Sequence, residues 1–231
     1  MIKPIPDLSK SSLSKSQGLL IERGAKVMKP SDRNAVEFAL QLAEKSPSSA
    51  EKSKSEVVAL SLSGPEGEGL LKEAMALGAD RAVVLSDPSF LGGEETSIAS
   101  ALAGACRKLG AELILCGEGQ VGHRVAEALN IPSIASVVRI EADGTGSAPG
   151  RLKISSRITS EPIEIQCTPP LLAAVSPGSN TPRIATAIKI MKASKKEIIK
   201  WAPDEIGLPP GETGAAAAGM QVVRTFSPDT G

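Results

Sequence analysis

The sequence has no tyrosine, three phenylalanines, one tryptophan and one histidine among its 231 residues. So few aromatic side chains cannot form a stacking platform for single-stranded nucleic acid, and the net charge is zero without a long basic run. A single imidazole cannot supply a histidine metal cluster, and it leaves little room for a catalytic triad. We therefore expect no nucleic-acid partner, no metal site and no hydrolytic chemistry of that kind.

Paired cysteines and long apolar runs are also missing. Cys106, Cys116 and Cys167 lie in apolar contexts without the spacing of metal ligands, which predicts core thiols rather than ligands or disulfides. No apolar run approaches the roughly 20 residues that a membrane helix needs, and no secretory signal pattern is present. The sequence predicts a soluble, cytoplasmic protein without membrane insertion.

The most informative stretch is Ala111–Pro132, which reads as a buried strand, a glycine turn and a helix. The apolar run Leu113–Cys116 is typical of a central parallel strand, and Gly117–Gly122 follows at once. Val121, Val125, Ala126 and Leu129 then recur at helical spacing. The free backbone N–H groups at the start of such a helix form an anion site, and nucleotide phosphates are its usual occupant.

The turn also spells G-x-G-x-x-G, which by itself is a weak signal. A dinucleotide fingerprint belongs in the first strand–helix unit with an acidic residue about 20 residues further on. This turn lies near the middle of the chain, and Glu141, at about that offset, follows a second apolar segment and a proline. A nucleotide phosphate site and a plain turn without a ligand both remain open.

Short apolar strands alternate with amphipathic helices before this stretch. Val57–Leu62 and Arg81–Leu85 read as strands, and Glu94–Leu109 as a helix that ends at a glycine. Another helix begins at Pro30, where Ser31 is the predicted cap. The alternation predicts an α/β fold with a doubly wound, mostly parallel sheet of the adenine-nucleotide-hydrolase-like type.

The pattern changes after Pro132. We predict antiparallel additions to the sheet, followed by a short basic helix over Arg183–Lys200. The added strands are Ile134–Ile140, Leu152–Ile158, Pro162–Gln166 and Leu171–Val175. Residues 1–200 are therefore expected to form one α/β domain of the nucleotide-binding type. Residues 201–231, rich in proline, glycine and alanine, are expected to form an extended C-terminal arm that packs on a partner subunit.

Several segments, in the right order, resemble the β subunit of electron transfer flavoproteins. Lys29-Pro30 followed by Ala35-Val36-Glu37 resembles the family's proline-starting helix, and Gly119-Gln120-Val121-Gly122 matches its G-Q-V-G turn. Further matching segments are Ile2–Asp7, Leu77–Ala82, Asn180–Arg183 with Ile190–Ala193, and Val222–Phe226. Together these motifs cover nearly the whole chain.

The resemblance implies a noncatalytic electron carrier. Such a β subunit pairs with an electron transfer flavoprotein α subunit that holds most of the FAD, and the pair passes electrons between a flavin-dependent dehydrogenase and an acceptor. The β chain binds AMP, or a second FAD in electron-bifurcating members. Flavins do the chemistry, so this chain would work by positioning them.

Family site residues carry over onto two groups of positions. The nucleotide site would use Met1, Lys29, Ser63, Gly117, Glu118, Gly119, Gln120, Val121 and Gly122. The dehydrogenase would dock on the loop and helix from Pro182 to Met191, with Pro182, Arg183, Ala187 and Met191 as the named positions.

The chain departs from the family at both sites. Only Glu118 stands where the family has an acidic insert, so the cradle should be smaller and Glu118 should repel a phosphate at close range. Lys29 replaces an asparagine and could offset phosphate charge. Ala187-Ile188 replaces a leucine–proline anchor, and Met1–Asp7 matches only the end of the family's first strand.

Two alternatives remain beside the electron carrier. One is a stand-alone adenine-nucleotide-binding regulatory module of similar fold. The other is a β-like structural subunit that has lost its nucleotide, which the short glycine turn favours.

Overall fold

The computed structural model describes residues 1–10, 12–14, 19–21, 26–45, 55–142, 150–209, 211–220 and 223. The helices are α1 (Pro30–Lys45), α2 (Glu68–Leu77), α3 (Glu95–Leu109), α4 (Gln120–Leu129) and α5 (Ala187–Ser194). The strands are β1 (Pro4–Ile5), β2 (Ser12–Ser14), β3 (Leu19–Ile21), β4 (Val27–Met28), β5 (Val58–Leu62), β6 (Arg81–Leu85), β7 (Leu113–Gly117), β8 (Ser133–Ala142), β9 (Leu152–Ser156), β10 (Ile163–Cys167), β11 (Leu171–Val175) and β12 (Ile199–Trp201).

The larger sheet mixes parallel and antiparallel pairs in the order β10-β9-β8-β11-β7. β8, β9 and β10 pair antiparallel as predicted. The prediction that Leu171–Val175 is an antiparallel addition is wrong, because β11 runs parallel to both β7 and β8. All five of its residues are buried, as is usual for a strand covered on both faces. A uniformly apolar sequence of this kind does not indicate whether the strand pairs parallel or antiparallel.

A second sheet of three parallel strands has the order β12-β6-β5. The helix predicted over Arg183–Lys200 is too long, because α5 ends at Ser194 and β12 then pairs with β6. Residues 199–201 form backbone hydrogen bonds with the edge of β6, and hydrophobic periodicity cannot predict such pairing. The short strands β2 and β3 pair antiparallel with each other.

Residues at the amino terminus lie between the two sheets. The Ile2 N–H donates to the carbonyl of Leu60 on β5 at 2.8 Å, and the Met1 ammonium donates to the carbonyl of Leu115 on β7. Pro4–Ile5 then pairs with Val27–Met28. The carboxyl ends of β5 and β7 are thereby held beside each other.

Helices pack on both faces of the sheets, because successive strand residues point to opposite sides. Val83 and Leu85 belong to the cluster formed with α3 and α4, whereas Ala82 and Val84 belong to the cluster under α2. A third cluster joins α1 to the antiparallel strands. The observed fold is therefore α/β with a mixed sheet arrangement; its adenine-nucleotide-hydrolase-like type stays a prediction.

Beyond residue 200 the described chain stays on this molecule. Trp201 and Ile206 are buried in the cluster of α3 and α4, and the Thr213 hydroxyl donates to the carbonyl of Ser89 at 3.1 Å. Of the predicted segment Val222–Phe226, only Val223 lies within the described residues, and it is exposed.

None of the described helices has the length and apolar content that crossing a membrane requires.

Candidate functional site

The glycine turn joins β7 to α4 as the sequence predicts. Gly117 ends the strand, Glu118 follows, and Gly119 adopts φ 153° and ψ 163° immediately before the helix begins at Gln120. No side chain caps this helix start. The first N–H groups of α4 are therefore left for a partner outside the helix.

The start of α1 packs directly against this turn. Asp32 accepts the backbone N–H of Gly117 and that of Lys3, both at 2.8 Å. A Cβ at Gly117 would lie 2.8 Å from the backbone nitrogen of Asp32, closer than side-chain carbons come to any atom, so the approach needs glycine. Burial raises the pKa of Asp32, and the two N–H donors only partly oppose this effect.

A cation lies at the mouth of the turn. The Lys29 ammonium donates to the backbone carbonyl of Glu118, and the Glu118 carboxylate accepts the hydroxyl of Ser176. Thus Lys29 stands beside the uncapped helix start, whereas the carboxylate of Glu118 is engaged by the loop after β11. The nearby ammonium of Lys29 and the hydrogen bond from Ser176 both reduce the repulsion that we expected between the Glu118 carboxylate and a phosphate.

Four buried hydroxyls have no hydrogen-bond partner among the described residues: those of Ser31, Ser61, Ser63 and Ser179. Ser31 Oγ lies next to Gly117, and Ser63 directly follows β5. The prediction that Ser31 caps α1 is therefore wrong, because its hydroxyl bonds to no backbone N–H. Buried hydroxyls normally find a partner, so the hydroxyls of Ser31 and Ser63 are candidates for contact with a ligand.

We call this group of residues the cradle: Met1, Lys29, Ser31, Asp32, Ser63 and Gly117–Gly122. Hydrogen bonds join Met1, Lys29 and Asp32 to β7 and the glycine turn, and Ser31 lies next to Gly117. Ser63 directly follows β5, whose Leu60 carbonyl accepts the N–H of Ile2. Ligands of open α/β sheets bind in crevices at the carboxyl ends of the strands. Ser31 and Asp32 are additions to the predicted site, and the signal that could have found them is their place in the first turn of the proline-starting helix.

A cavity of about 690 Å³ opens on the other side of Glu118. Its walls include Arg139, Arg157 and Ser136, and Ser136 has the left-handed φ of 50° that is uncommon outside glycine. It lies over the carboxyl end of β11 and the antiparallel strands.

The thiols take no part in this site. Burial raises the pKa values of Cys106 and Cys116 to about 11, so both are protonated at neutral pH. Both are free and buried, which confirms the prediction of core thiols for these two.

The second candidate region is the docking segment, residues 182–191. Its helical part begins after Thr186, whose hydroxyl accepts the N–H of Lys189 at 3.4 Å. Four large apolar side chains of the segment are mostly exposed: Ile184 at 93%, Ile188 and Met191 at 63% each, and Ile190 at 53%. Much of the apolar surface of this segment therefore faces solvent rather than the core.

Arg183 lies at the start of this segment but points to α1. Its guanidinium binds Glu37 at 2.9 and 3.1 Å and Glu44 at 2.6 and 3.1 Å. The hydrogen bonds to Glu44, which have the largest effect, and those to Glu37 raise the pKa of Arg183 above its ordinary value. Glu37 and Glu44 were missed by the sequence reasoning, although Glu37 is the glutamate of the Ala35-Val36-Glu37 motif.

Comparisons with known proteins agree with these motifs. A profile of the electron transfer flavoprotein domain matches residues 17–206. The β subunits of electron transfer flavoprotein from Clostridium acetobutylicum and Thermoanaerobacterium thermosaccharolyticum are each 30% identical to the chain, over 97% and 100% of its length and 85% and 87% of theirs. The caffeyl-CoA reductase-Etf complex subunit CarD of Acetobacterium woodii is 31% identical over 98% of the chain and 86% of its own length.

The chain belongs to the electron transfer flavoprotein family.

Within this family the chain is a β-like electron transfer subunit, as predicted. The near full-length match to β subunits does not favour a stand-alone regulatory module. Electron transfer flavoproteins are associated with flavin in general.

Proposed function

We propose that this electron transfer flavoprotein β-like subunit forms a heterodimer with an α subunit that holds most of the FAD. The pair carries electrons between a flavin-dependent dehydrogenase and an acceptor, and the chain remains cytoplasmic. The observation that carries the proposal is the cradle, in which an uncapped helix start, the ammonium of Lys29 and the unpartnered hydroxyl of Ser31 lie around the glycine turn.

The cradle fits the adenosine phosphate part of a nucleotide. A phosphate at the start of α4 would accept the free N–H groups and lie near the ammonium of Lys29. The hydroxyls of Ser31 and Ser63 can donate to phosphate or ribose oxygens, and the carboxylate of Asp32 can accept from a ribose hydroxyl. AMP is the proposed occupant, and a second FAD, which carries the same adenosine phosphate, is the alternative.

The residues of the chain then act by binding and orientation. The FAD supplies the redox chemistry when it is bound, because it accepts and releases electrons. Asp32 ties the start of α1 to Gly117, so the two helix starts keep a fixed separation around the nucleotide. We propose no proton transfer by any side chain of this subunit.

The docking segment is the proposed contact with the dehydrogenase. Exposed apolar side chains grouped on one surface are typical of protein interaction sites. This segment contains Pro182, Ala187, Ile188 and Met191. Ile188 is an exposed apolar side chain at the place of the family's leucine–proline anchor. The relative CarD is named as part of a reductase–Etf complex, which supports a similar assembly for this chain.

Co-expression with an α subunit from the same genome tests the proposal. We expect a yellow one-to-one complex that releases AMP, or additional FAD, when it is denatured. Lys29→Gln should weaken retention of AMP about tenfold, as expected when one charge-assisted contact of about 1.4 kcal/mol is lost. Lys10→Gln, which removes an exposed lysine whose ion pair is with nearby Asp7, should leave retention unchanged.

Three outcomes distinguish the alternatives. A yellow complex with bound nucleotide supports the electron carrier with an occupied cradle. A yellow complex without AMP or a second FAD would favour the subunit that has lost its nucleotide. A colourless chain that ignores every α subunit but binds AMP tightly would contradict the proposal and favour the stand-alone module.

A further inference from the structure

The docking segment is weakly held by core packing. Ala193 is the one side chain of α5 that is fully buried, at 2% exposed. Burial of one methyl group stabilises a helix very little, and eight residues are too few for a helix to be stable by itself in water. Something other than hydrophobic burial must fix α5 while its apolar side chains remain in solvent.

The first fixing point is the Arg183 guanidinium, which binds two glutamates that lie two turns apart on α1. The guanidinium contacts both carboxylates of Glu37 and Glu44, and the backbone N–H of Arg183 donates to Glu37 at 3.0 Å. Glu37 is only 5% exposed, so this part of the pair is shielded from water. A planar fork on two carboxylates sets both position and direction, which a flexible ammonium cannot do.

A paired set of amides continues the connection before Arg183. The Asn34 side chain on α1 donates to the side chain of Asn180 at 2.7 Å and to its backbone carbonyl at 2.8 Å. The Asn180 amide donates back to the carbonyl of Asn34 at 3.0 Å. The entry to the docking segment is thus bonded to α1 from Asn34 to Glu44, over nearly three turns of that helix.

The second fixing point is the other end of α5. Lys72 on α2 donates to the carbonyl of Ser194 at 3.0 Å and to that of Lys196. A cation at this position satisfies carbonyls that the helix leaves unpaired and complements its dipole. Between these two points, Ile184, Ile188 and Met191 are held where they cannot fold back onto the body.

We propose that Arg183 is a positioning residue for dehydrogenase docking: it fixes the docking segment on Glu37 and Glu44 so that the exposed apolar side chains are preorganised for the partner. This inference rests on the proposed function. Arg183 acts through Ile184, Ile188 and Met191 rather than by touching the dehydrogenase. Because the segment is already ordered, docking does not carry the conformational entropy cost of ordering it.

Kinetics of the complex with its α subunit test this proposal. Reduction is followed with each flavin-dependent dehydrogenase of the source genome, and the complex is the varied substrate. Arg183→Gln should raise KM about tenfold while kcat changes by less than about twofold, since only docking is affected. Arg183→Lys keeps the charge but not the fork, so its KM should lie between those of Arg183→Gln and the unmodified complex.

Arg81→Gln is the matched control. Arg81 forms a similar bidentate pair with Glu56, at 2.6 and 2.9 Å, at the amino end of β6, and neither of these bonds involves a residue of the docking segment. Its KM should equal that of the unmodified complex. Hydrogen exchange gives an independent measure, because amides of residues 184–194 should exchange faster in Arg183→Gln and not in Arg81→Gln.

Several results would overturn the inference. One is an unchanged KM in Arg183→Gln, and another is a fall in kcat at constant KM. If Arg183→Gln does not fold, Glu44→Gln decides: it leaves Glu37 in place, and KM should rise about threefold. A wild-type complex that no dehydrogenase reduces would instead refute the proposed function itself, and the two failures are therefore distinguishable.

Discussion

Replacement of Gly117 by alanine is the most direct test of how the cradle is built. The added Cβ would lie 2.8 Å from the backbone nitrogen of Asp32 and would also meet Ser31 Oγ. A backbone atom cannot rotate away, so the start of α1 must move from β7. That movement breaks the hydrogen bond from the Gly117 N–H to the Asp32 carboxylate.

The cost can be worked out from these contacts. Overpacking of this kind costs about 1–3 kcal/mol, and loss of a hydrogen bond to a charged group costs about 1.5–3 kcal/mol. Alanine also lowers the conformational entropy of the unfolded chain, which stabilises the folded state by about 0.4–1 kcal/mol and offsets part of this cost. We expect Gly117→Ala to lower the free energy of unfolding by about 2–5 kcal/mol, or the melting temperature by roughly 5–15 °C.

Urea unfolding of the full chain measures this effect. Trp201 is the sole tryptophan, so its emission follows the second sheet while far-UV circular dichroism follows the helices. Gly69→Ala is the matched control: the space around its Cβ is open, it lies within α2, and it should gain up to about 1 kcal/mol. A Gly117→Ala variant that loses less than about 0.5 kcal/mol would refute the reasoning.

Three further predictions follow from other contacts. Burial raises the pKa of Asp32 above its ordinary value of 3.8, so protonation of Asp32 favours the folded state. That contribution to the free energy of unfolding is fully present below pH 3.8 and is lost as pH rises through the folded-state pKa. Above pH 3.8 the free energy of unfolding of Asp32→Asn should therefore change less with pH than that of the unmodified chain, which a pH titration of stability measures. Burial opposes ionisation of Glu37, but hydrogen bonds from Arg183 outweigh it and lower the pKa; Glu37→Gln should cost about 2–3 kcal/mol at neutral pH, and acid titration should show that cost shrinking as pH falls through the folded pKa. Gly214→Ala would place a Cβ 2.6 Å from the Leu91 carbonyl at a φ of 55°, so limited proteolysis should cut residues 211–220 faster than in the unmodified chain.

Local patterns predicted the elements of the cradle well. The run Leu113–Cys116, the glycines after it and the helical spacing from Val121 specify a strand, a turn and a helix, and all three are present. Pro30 marked the start of α1 because a proline suits the first turn of a helix. These features depend on neighbours within a few residues, which is why the sequence reveals them.

Features that depend on distant residues were missed or misread. The direction of β11 follows from the path of its connections, and its uniformly apolar residues fit either direction. The segment Arg183–Lys200 was predicted as one helix, yet Ile199–Trp201 pair with β6 instead. The ion pairs of Arg183 join residues 139 and 146 positions apart, and no local pattern encodes a contact at that separation.

The sequence by itself determined the class of fold, the glycine turn and the resemblance to electron transfer flavoprotein β subunits, because each rests on local chemistry or on motifs kept in order. Only the tertiary structure decided that Ser31 and Asp32 face Gly117, that the Glu118 carboxylate bonds to Ser176, and that Arg183 is held on α1. Those facts arise where strand ends and helix starts from separate parts of the chain meet, and folding alone brings them within bonding distance.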